Sequence, residues 1–234
     1  MSHRELEYHW HMDEKDFFEG LIQEKQAFLA LAKSRQFKRG ELVFHESQPG
    51  GHVYYLEKGV VLIFRSAPEG KEPIMSIRHP GEMFGLAEVL GRRERKCNAK
   101  AIIDSRVHQL GANDLEALLA KYYPMARRVI EILGGRLRCL SEQMENLMVL
   151  DVPTRLLKTL FYLCYPQLVS GHDWSKPVTV PLRLTQEQIA AFTGSCQQTI
   201  SESLKQLQQE KWIAMDGRMI TITKPLEAMK RLAL

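Results

Sequence analysis

The chain has 234 residues and a formal net charge of +4, long enough for two modest cores and compatible with a polyanionic partner without demanding one. Its 44% hydrophobic and 26% charged residues are an ordinary globular composition and exclude a disordered or fibrous chain. No apolar run nears the ~18 residues of a membrane span, the N-terminus lacks the apolar stretch of a secretory signal, and Cys97, Cys139, Cys164 and Cys196 lack the spacing of a zinc or iron–sulfur site. The expectation is a cytoplasmic protein with reduced thiols and no membrane contact.

The first predicted element is a helix within residues 13–35, where Phe17, Phe18, Leu21, Ile22, Phe28, Leu29 and Leu31 fall at helical spacing. From about Arg35 the texture becomes β. Short runs are punctuated at Gly40, Pro49-Gly50-Gly51, Gly59, Pro68-Glu69-Gly70 and Pro80-Gly81, which predicts a barrel or sandwich. Val60, Leu62 and Phe64 alternate, as do Ile74, Ser76 and Arg78 against Met75 and Ile77. One face should be core and the other wet or lining a pocket.

A short helix follows over "ANDLEALLAKYYP", capped by Asn113 and closed near Pro124. A longer helix is predicted over 125–150. Its Ile130, Leu133, Leu137, Leu140, Met144 and Leu147 recur at alternating steps of three and four. So narrow a stripe suits a partner helix better than a broad globular face. Gly134 and Gly135 each cost about 1 kcal/mol relative to Ala, which close approach of another backbone would offset. Asp151-Val152-Pro153 marks a hinge, with Asp151 as N-cap of the next helix, "TRLLKTLFYLCYPQL".

The stretch "LTQEQIAAFTGSCQQTISESLKQL", residues 184–207, carries the chemistry. Thr185 caps a helix with Gln188 at the capping-box position. Ile189, Ala190 and Phe192 form its inner face, and Gly194 ends it. Ser195 caps a second helix with Ile200, Leu204 and Leu207 inward and Gln197, Gln198, Ser201, Glu202 and Lys205 outward. Two helices joined by a tight turn, the second with a polar first turn, predict a helix-turn-helix. A hairpin turned at Asp216-Gly217 follows as a wing, and "LEAMKRLAL" closes the chain as a helix. The predicted DNA contacts are Thr185, Ser195, Gln197, Gln198, Thr199, Ser201, Glu202, Lys205 and Arg218, with Lys205, Lys211, Arg218 and Lys224 meeting phosphates.

The Gly-punctuated β region with "PGEMFG", the long helix, the Asp at the hinge and "LTQEQIAAFTG…TISESLKQL…GRMITI" resemble the CRP/FNR family of bacterial transcription regulators over nearly all of residues 20–234. The resemblance implies an α+β chain: an N-terminal double-stranded β-roll of the cyclic-nucleotide-binding jelly-roll kind, a dimerisation helix, and a C-terminal winged helix-turn-helix. The corresponding divisions are 1–124, 125–150 and 151–234. It implies a non-enzymatic homodimer that binds a palindromic operator, answers a small-molecule effector and meets RNA polymerase.

Departures from the family pattern qualify the effector. Gly85 is followed by Leu86 where cyclic-nucleotide binders carry Glu, and Lys96 stands where a small hydroxyl residue follows the phosphate-binding Arg, here matched by Arg95. These losses argue against cAMP or cGMP and leave a different anion or a small apolar molecule. The effector pocket is expected among Leu62, Phe64, Met75, Ile77, Gly85, Leu86, Arg95 and Lys96 of the roll and Ile132, Arg136, Cys139 and Leu140 of the long helix. No Cys precedes Cys97, and Gly85, Leu86 and Ala87 offer no haem ligand, so neither an iron–sulfur cluster nor haem is expected. In the recognition helix, Gln197, Gln198 and Glu202 replace the family's Arg, Glu and Arg, predicting an operator less dependent on guanine. Two alternatives compete. One is a cupin-like metal enzyme built on His45, His52, His79 and His108 with an appended DNA-binding-like domain; the other is an effector-independent DNA-binding protein. His9 and His11, two apart, with His3 nearby, have the nitrogen donors for a metal on a strand or loop, but a His pair this close to a terminus is read as incidental.

Overall fold

In the computed structural model, which describes residues 16–67, 72–169 and 173–232, the chain divides between residues 138 and 139 into two units. His3, His9, His11 and the turn at Pro68-Glu69-Gly70 lie outside the described residues.

The first unit runs α1 (Ile22–Leu31), β1 (Lys33–Phe37), β2 (Leu42–Phe44), β3 (His52–Lys58), β4 (Val61–Phe64), β5 (Ile74–Arg78), β6 (Met83–Phe84), α2 (Leu86–Gly91), β7 (Asn98–Ala101), β8 (Ser105–Gly111) and α3 (Ala112–Lys121). The strands make two antiparallel sheets, β1-β8-β3-β6 and β2-β7-β4-β5. Successive side chains of a strand point to opposite faces, and β3 uses both. Tyr54 and Leu56 join Phe44, Val61, Ile63, Phe84 and Val107 in one core. Val53 and Tyr55 face a second core with Phe17, Phe18, Phe28, Leu115, Met125 and Val129. Met83 of β6 and Leu110 of β8 join the second core while Phe84 and Val107 of the same strands lie in the first, so the roll is held by two apolar layers that share β8, β3 and β6.

Several expectations change here. Phe17 and Phe18 are buried but precede α1, while Ile22, Leu29 and Leu31 are exposed, so the first helix offers mainly Phe28 to the core. The predicted wet face of β4 is absent: Val60 through Phe64 are all buried. Met75 is exposed although Ile77 is buried, and the β4–β5 register shifts between Ile63 and Phe64. Position α3 starts from Gly111 with no side-chain cap, so Asn113 lies inside the first turn.

The long helix α4 spans Tyr123–Val149. Pro124 sits in its first turn, where a missing N–H leaves no bond unmade. Two stripes divide its surface. Met125, Val129 and Ile132 are buried in the roll's core, and Leu133, expected in the seam, packs against the same core. Arg128 donates to the carbonyls of Asp16, Phe17 and Glu19 and fastens that turn to the helix. The second stripe stays open: Ile130 is 70% exposed, Leu137 66%, Leu140 45%, Met144 59% and Leu147 54%. Beside Gly134 and Gly135 the nearest group found is the Arg138 side chain, at 3.6 and 4.0 Å from an added Cβ; no neighbouring backbone approaches among the described residues.

The second unit continues with α5 (Val152–Val169), β9 (Val178–Thr179), α6 (Gln186–Thr193), α7 (Gln197–Gln209), β10 (Ile213–Asp216), β11 (Met219–Ile222) and α8 (Pro225–Leu232). Strands β10, β11 and β9 pair antiparallel in that order. Leu157, Leu160, Ile189, Ile200, Leu204 and Ile222 are buried, and the ring of Phe192 packs 5.2 Å from that of Tyr162. Asp151 caps α5 as predicted, its Oδ1 accepting from the Thr154 N–H at 2.9 Å. That bond and the Thr154 hydroxyl hold the Asp151 carboxyl below its usual pKa, the hydroxyl contributing most. The α+β roll, long helix and winged helix-turn-helix foreseen from the sequence are the architecture observed.

Candidate functional site

The second helix of the pair is presented by local chemistry. Thr185 Oγ1 accepts from the Gln188 N–H at 3.1 Å while Gln188 Oε1 accepts from the Thr185 N–H at 2.9 Å, a complete capping box at the start of α6. Gly194 ends α6 at φ 65°, a left-handed backbone that costs other residues about 1 kcal/mol or more. Its missing side chain matters as well: a Cβ there would lie 2.9 Å from Leu147 Cδ2. The N-cap position of α7 belongs to Cys196 and not, as expected, to Ser195, which is half-buried one residue earlier. Ser195 follows the left-handed Gly194 and is still part of the turn, so the extended cap conformation falls one residue later. Cys196 is exposed, its Sγ 3.0 Å from Thr199 Oγ1, and that hydroxyl draws the thiol below its ordinary pKa.

On α7, Ile200, Leu204 and Leu207 are buried, together with Ser203. Gln197, Gln198, Glu202 and Lys205 are exposed, and Thr199 and Ser201 are half-buried at the edge of that face. Gln198 Nε2 donates to Glu202 Oε1 at 3.4 Å, one turn on. The helix ends at Gln209, leaving Trp212 and Ile213 to the turn and strand that follow. Asp216 pairs with Met219, so the hairpin loop is Gly217-Arg218 and not Asp216-Gly217; Gly217 takes the positive φ of 58° that a two-residue loop needs at its first position. Arg218 is thereby exposed at the tip. A cleft of about 280 Å³ opens between the first turns of α6 and α7 and the hairpin, with Thr185, Gln186, Gln197 and Arg218 among its polar lining residues and Ile189 and Ile220 among its apolar ones. Three predicted contact residues, Thr185, Gln197 and Arg218, therefore converge on one surface with the exposed row of α7. Lys211 and Lys224 are exposed, and Lys224 pairs with Glu227 at 3.2 Å.

Sequence reasoning missed the residue that ties this motif to the long helix. Arg155 donates from Nη1 to the Leu150 carbonyl at 2.8 Å and from Nε to the Thr193 carbonyl at 3.2 Å, joining the end of α4 to the end of α6. Lys158 adds a bond to Asn146 at 2.9 Å and an ion pair to Glu142 at 3.7 Å. The local sign was weak: a cation in a helix's first turn opposes the dipole and so implies a specific partner.

The roll's predicted effector residues do not all gather. Leu62, Phe64, Ile77 and Leu86 are buried, but Leu86 and Ile132 are members of a filled core. Met75 and Lys96 are exposed. Arg136 donates to the Met83 carbonyl at 2.6 Å. Cys139 is half-buried and Leu140 exposed, and both belong to the other unit. Arg95 is buried beside Gly85, whose carbonyl accepts from its Nη1 at 2.9 Å. Burial pushes the Cys97 thiol up to about 11 and the Cys164 thiol up to about 12. No cluster of three or more His, Cys, Asp or Glu able to hold a metal occurs among the described residues. His108 instead meets Glu57 at 2.6 Å and His45 meets Gln48 at 2.7 Å.

Comparison with known proteins bears on both units. Residues 34–122 match the cyclic nucleotide-binding domain and residues 154–232 the Crp-like helix-turn-helix domain. A CRP-like cAMP-activated global transcriptional regulator of Mycobacterium tuberculosis is 30% identical, the alignment covering 88% of this chain and 91% of the relative. A transcriptional regulator from Thermus thermophilus, of the CRP/FNR family, superposes with a TM-score of 0.69 at 25% identity over 86% of this chain and 98% of its own. The c-di-GMP responsive global regulator CLP of Xanthomonas campestris has the same fold, with a TM-score of 0.73 at 21% identity over 86% and 99% of the two chains.

Proposed function

Because this chain belongs to the CRP/FNR family of transcription regulators, and so is a DNA-binding regulator rather than an enzyme, we propose that it works as a homodimer on a palindromic operator. The observation that carries the reading is the division of α7: Ile200, Leu204 and Leu207 inward, Gln197, Gln198, Glu202 and Lys205 outward, next to Arg218 at the hairpin tip. The outward row enters the major groove and the hairpin lies against the flanking backbone. Ile130, Leu137, Leu140, Met144 and Leu147 pair α4 with its copy, setting two recognition helices roughly 34 Å apart, one turn of the duplex. The functional divisions are a sensing roll (1–124), a dimer helix (125–150) and a DNA-binding domain (151–234), acting in the cytoplasm with RNA polymerase as the further partner.

Gln bonds adenine bidentately and Glu accepts from the cytosine amino group. The absence of Arg from the first two turns of α7 lowers the weight of guanine in the half-site. Glu202 repels phosphates, so Lys205, Lys211, Arg218 and Lys224 carry the electrostatic share, each neutralised phosphate adding about 0.9 to the log–log salt slope. The effector reading that fits the roll is a small, weakly polar molecule held near Leu62, Phe64 and Ile77. Leu86 cannot accept from a ribose hydroxyl, and Lys96 replaces a hydroxyl donor, so the cAMP response named for the mycobacterial relative is not carried over.

Selection of bound duplexes from a random pool, with and without a metabolite extract, tests the reading. A palindromic consensus is expected. Gln198→Ala should then cost about 1–3 kcal/mol and relax preference at one base pair. Unchanged affinity and preference would overturn the placement of α7.

A further inference from the structure

A buried cation needs a counter-charge, because the cost of taking it out of water is several kcal/mol unless it is paired and hydrogen-bonded. Arg95 has its partner within the chain. Its side chain is 1% exposed, and Nη1 lies 3.1 Å from the carboxylate of Glu88, itself 14% exposed. Nη1 also donates to the Gly85 carbonyl at 2.9 Å, and Nη2 donates to the His52 carbonyl. The guanidinium stacks 4.3 Å from the centroid of Phe44 and 5.7 Å from that of Tyr54.

Glu88 is held in place from behind. A Cβ on Gly50 would stand 2.7 Å from Glu88 Cβ and 2.3 Å from the Arg93 carbonyl oxygen, so this position must lack a side chain for α2 to lie where it does. Backbone bonds complete the latch: Gly50 N–H to Arg93 O at 3.1 Å, Arg95 N–H to Gln48 O at 2.8 Å, and Ser47 N–H to Arg95 O at 2.9 Å. An external oxyanion reaching Arg95 would have to expel Glu88 from a site built around it.

We propose that Glu88 is a built-in counter-anion for Arg95 that closes a latent oxyanion site in the roll. A free phosphate or the phosphate of a cyclic nucleotide finds no cation to bind there while Glu88 is charged. Regulation of this protein therefore does not run through an anionic effector at Arg95. Only that last clause rests on the reading of the chain as a DNA-binding regulator; the closed site stands on the ion pair.

The test is thermal unfolding of the full chain at constant ionic strength, with inorganic phosphate or cAMP replacing chloride. Wild-type Tm should not move with either. Glu88→Gln keeps the shape and removes the charge, and its Tm should fall by roughly 6–20 °C, the shift expected for a broken buried pair in a chain of this size. Phosphate should restore it with the logarithmic dependence of a bound ligand. The neutral double variant Glu88→Gln/Arg95→Met should show no phosphate response. If the single variant matches wild type in Tm and anion response, the counter-anion role is refuted. Should that variant fail to fold, wild type decides: saturable stabilisation by phosphate or cAMP that the double variant abolishes overturns the closed site, and its absence upholds it. Duplex selection on the same wild-type protein separates the two readings, since failure to bind any duplex refutes the regulator and leaves the Tm results to judge the ion pair.

Discussion

Leu140→Asp tests the α4 seam where the chain itself leaves a gap. Leu140 is 45% exposed in the single chain, between Leu137 at 66% and Met144 at 59%. Full burial of a leucine is worth about 1.5–3 kcal/mol, so covering the remaining half in each of two copies contributes about 2 kcal/mol to pairing. Aspartate forfeits that and sets two carboxylates facing each other across the two-fold axis, where unpaired charge costs several kcal/mol more. The total is at least about 4 kcal/mol, or roughly a 10³-fold weaker dimer at 1.4 kcal/mol per decade. Sedimentation equilibrium across a wide concentration range reads this directly. Because Leu140 is partly open in its own chain, the variant monomer should keep its circular dichroism, while its unfolding midpoint should lose the dependence on protein concentration that a dimer shows. Binding to a full palindrome should fall to that of a half-site. A dimer constant within tenfold of wild type would refute the seam and the paired-helix mechanism with it.

Arg155→Met should weaken operator binding and lower the unfolding midpoint of the DNA-binding unit, because it strands the Leu150 and Thr193 carbonyls; a variant that unfolds and binds like wild type would show that the bridge from α4 to α6 carries nothing. Asp151→Ala should cost about 1 kcal/mol at neutral pH in urea denaturation, while Asn should cap almost as well. The Asp151 carboxyl titrates below its unfolded value, so its contribution is fully present above about pH 4 and is lost as the pH falls through the folded pKa. The Ala variant should lack that part of the acid loss, and identical acid profiles would refute the cap. Cys196, exposed and with its pKa drawn down by Thr199, should alkylate well before the buried Cys164. Bound operator should protect it in a mass-spectrometric footprint, and unprotected labelling at saturating DNA would move the interface away from the start of α7.

The sequence by itself determined what depends on neighbours a few residues apart. The Thr185–Gln188 capping box, the turn at Gly194, the inward row Ile200, Leu204 and Leu207, the Asp151 cap and the open stripe of α4 all follow from helical period and short-range hydrogen bonding. Even so, chain-local reasoning misplaced features by a single residue, at Cys196 and at the Gly217-Arg218 loop, because caps and turns are settled by backbone angles that neighbouring candidate residues tolerate equally. Tertiary structure alone decided whatever joins distant segments. Burial of both faces of β4, the loss of Leu133 from the seam to the roll's core, the Arg155 bridge, and the union of Gly50, Glu88 and Arg95 across 45 residues leave no periodic trace. A charge finds its partner by proximity in space, and one sequence records proximity only along the chain.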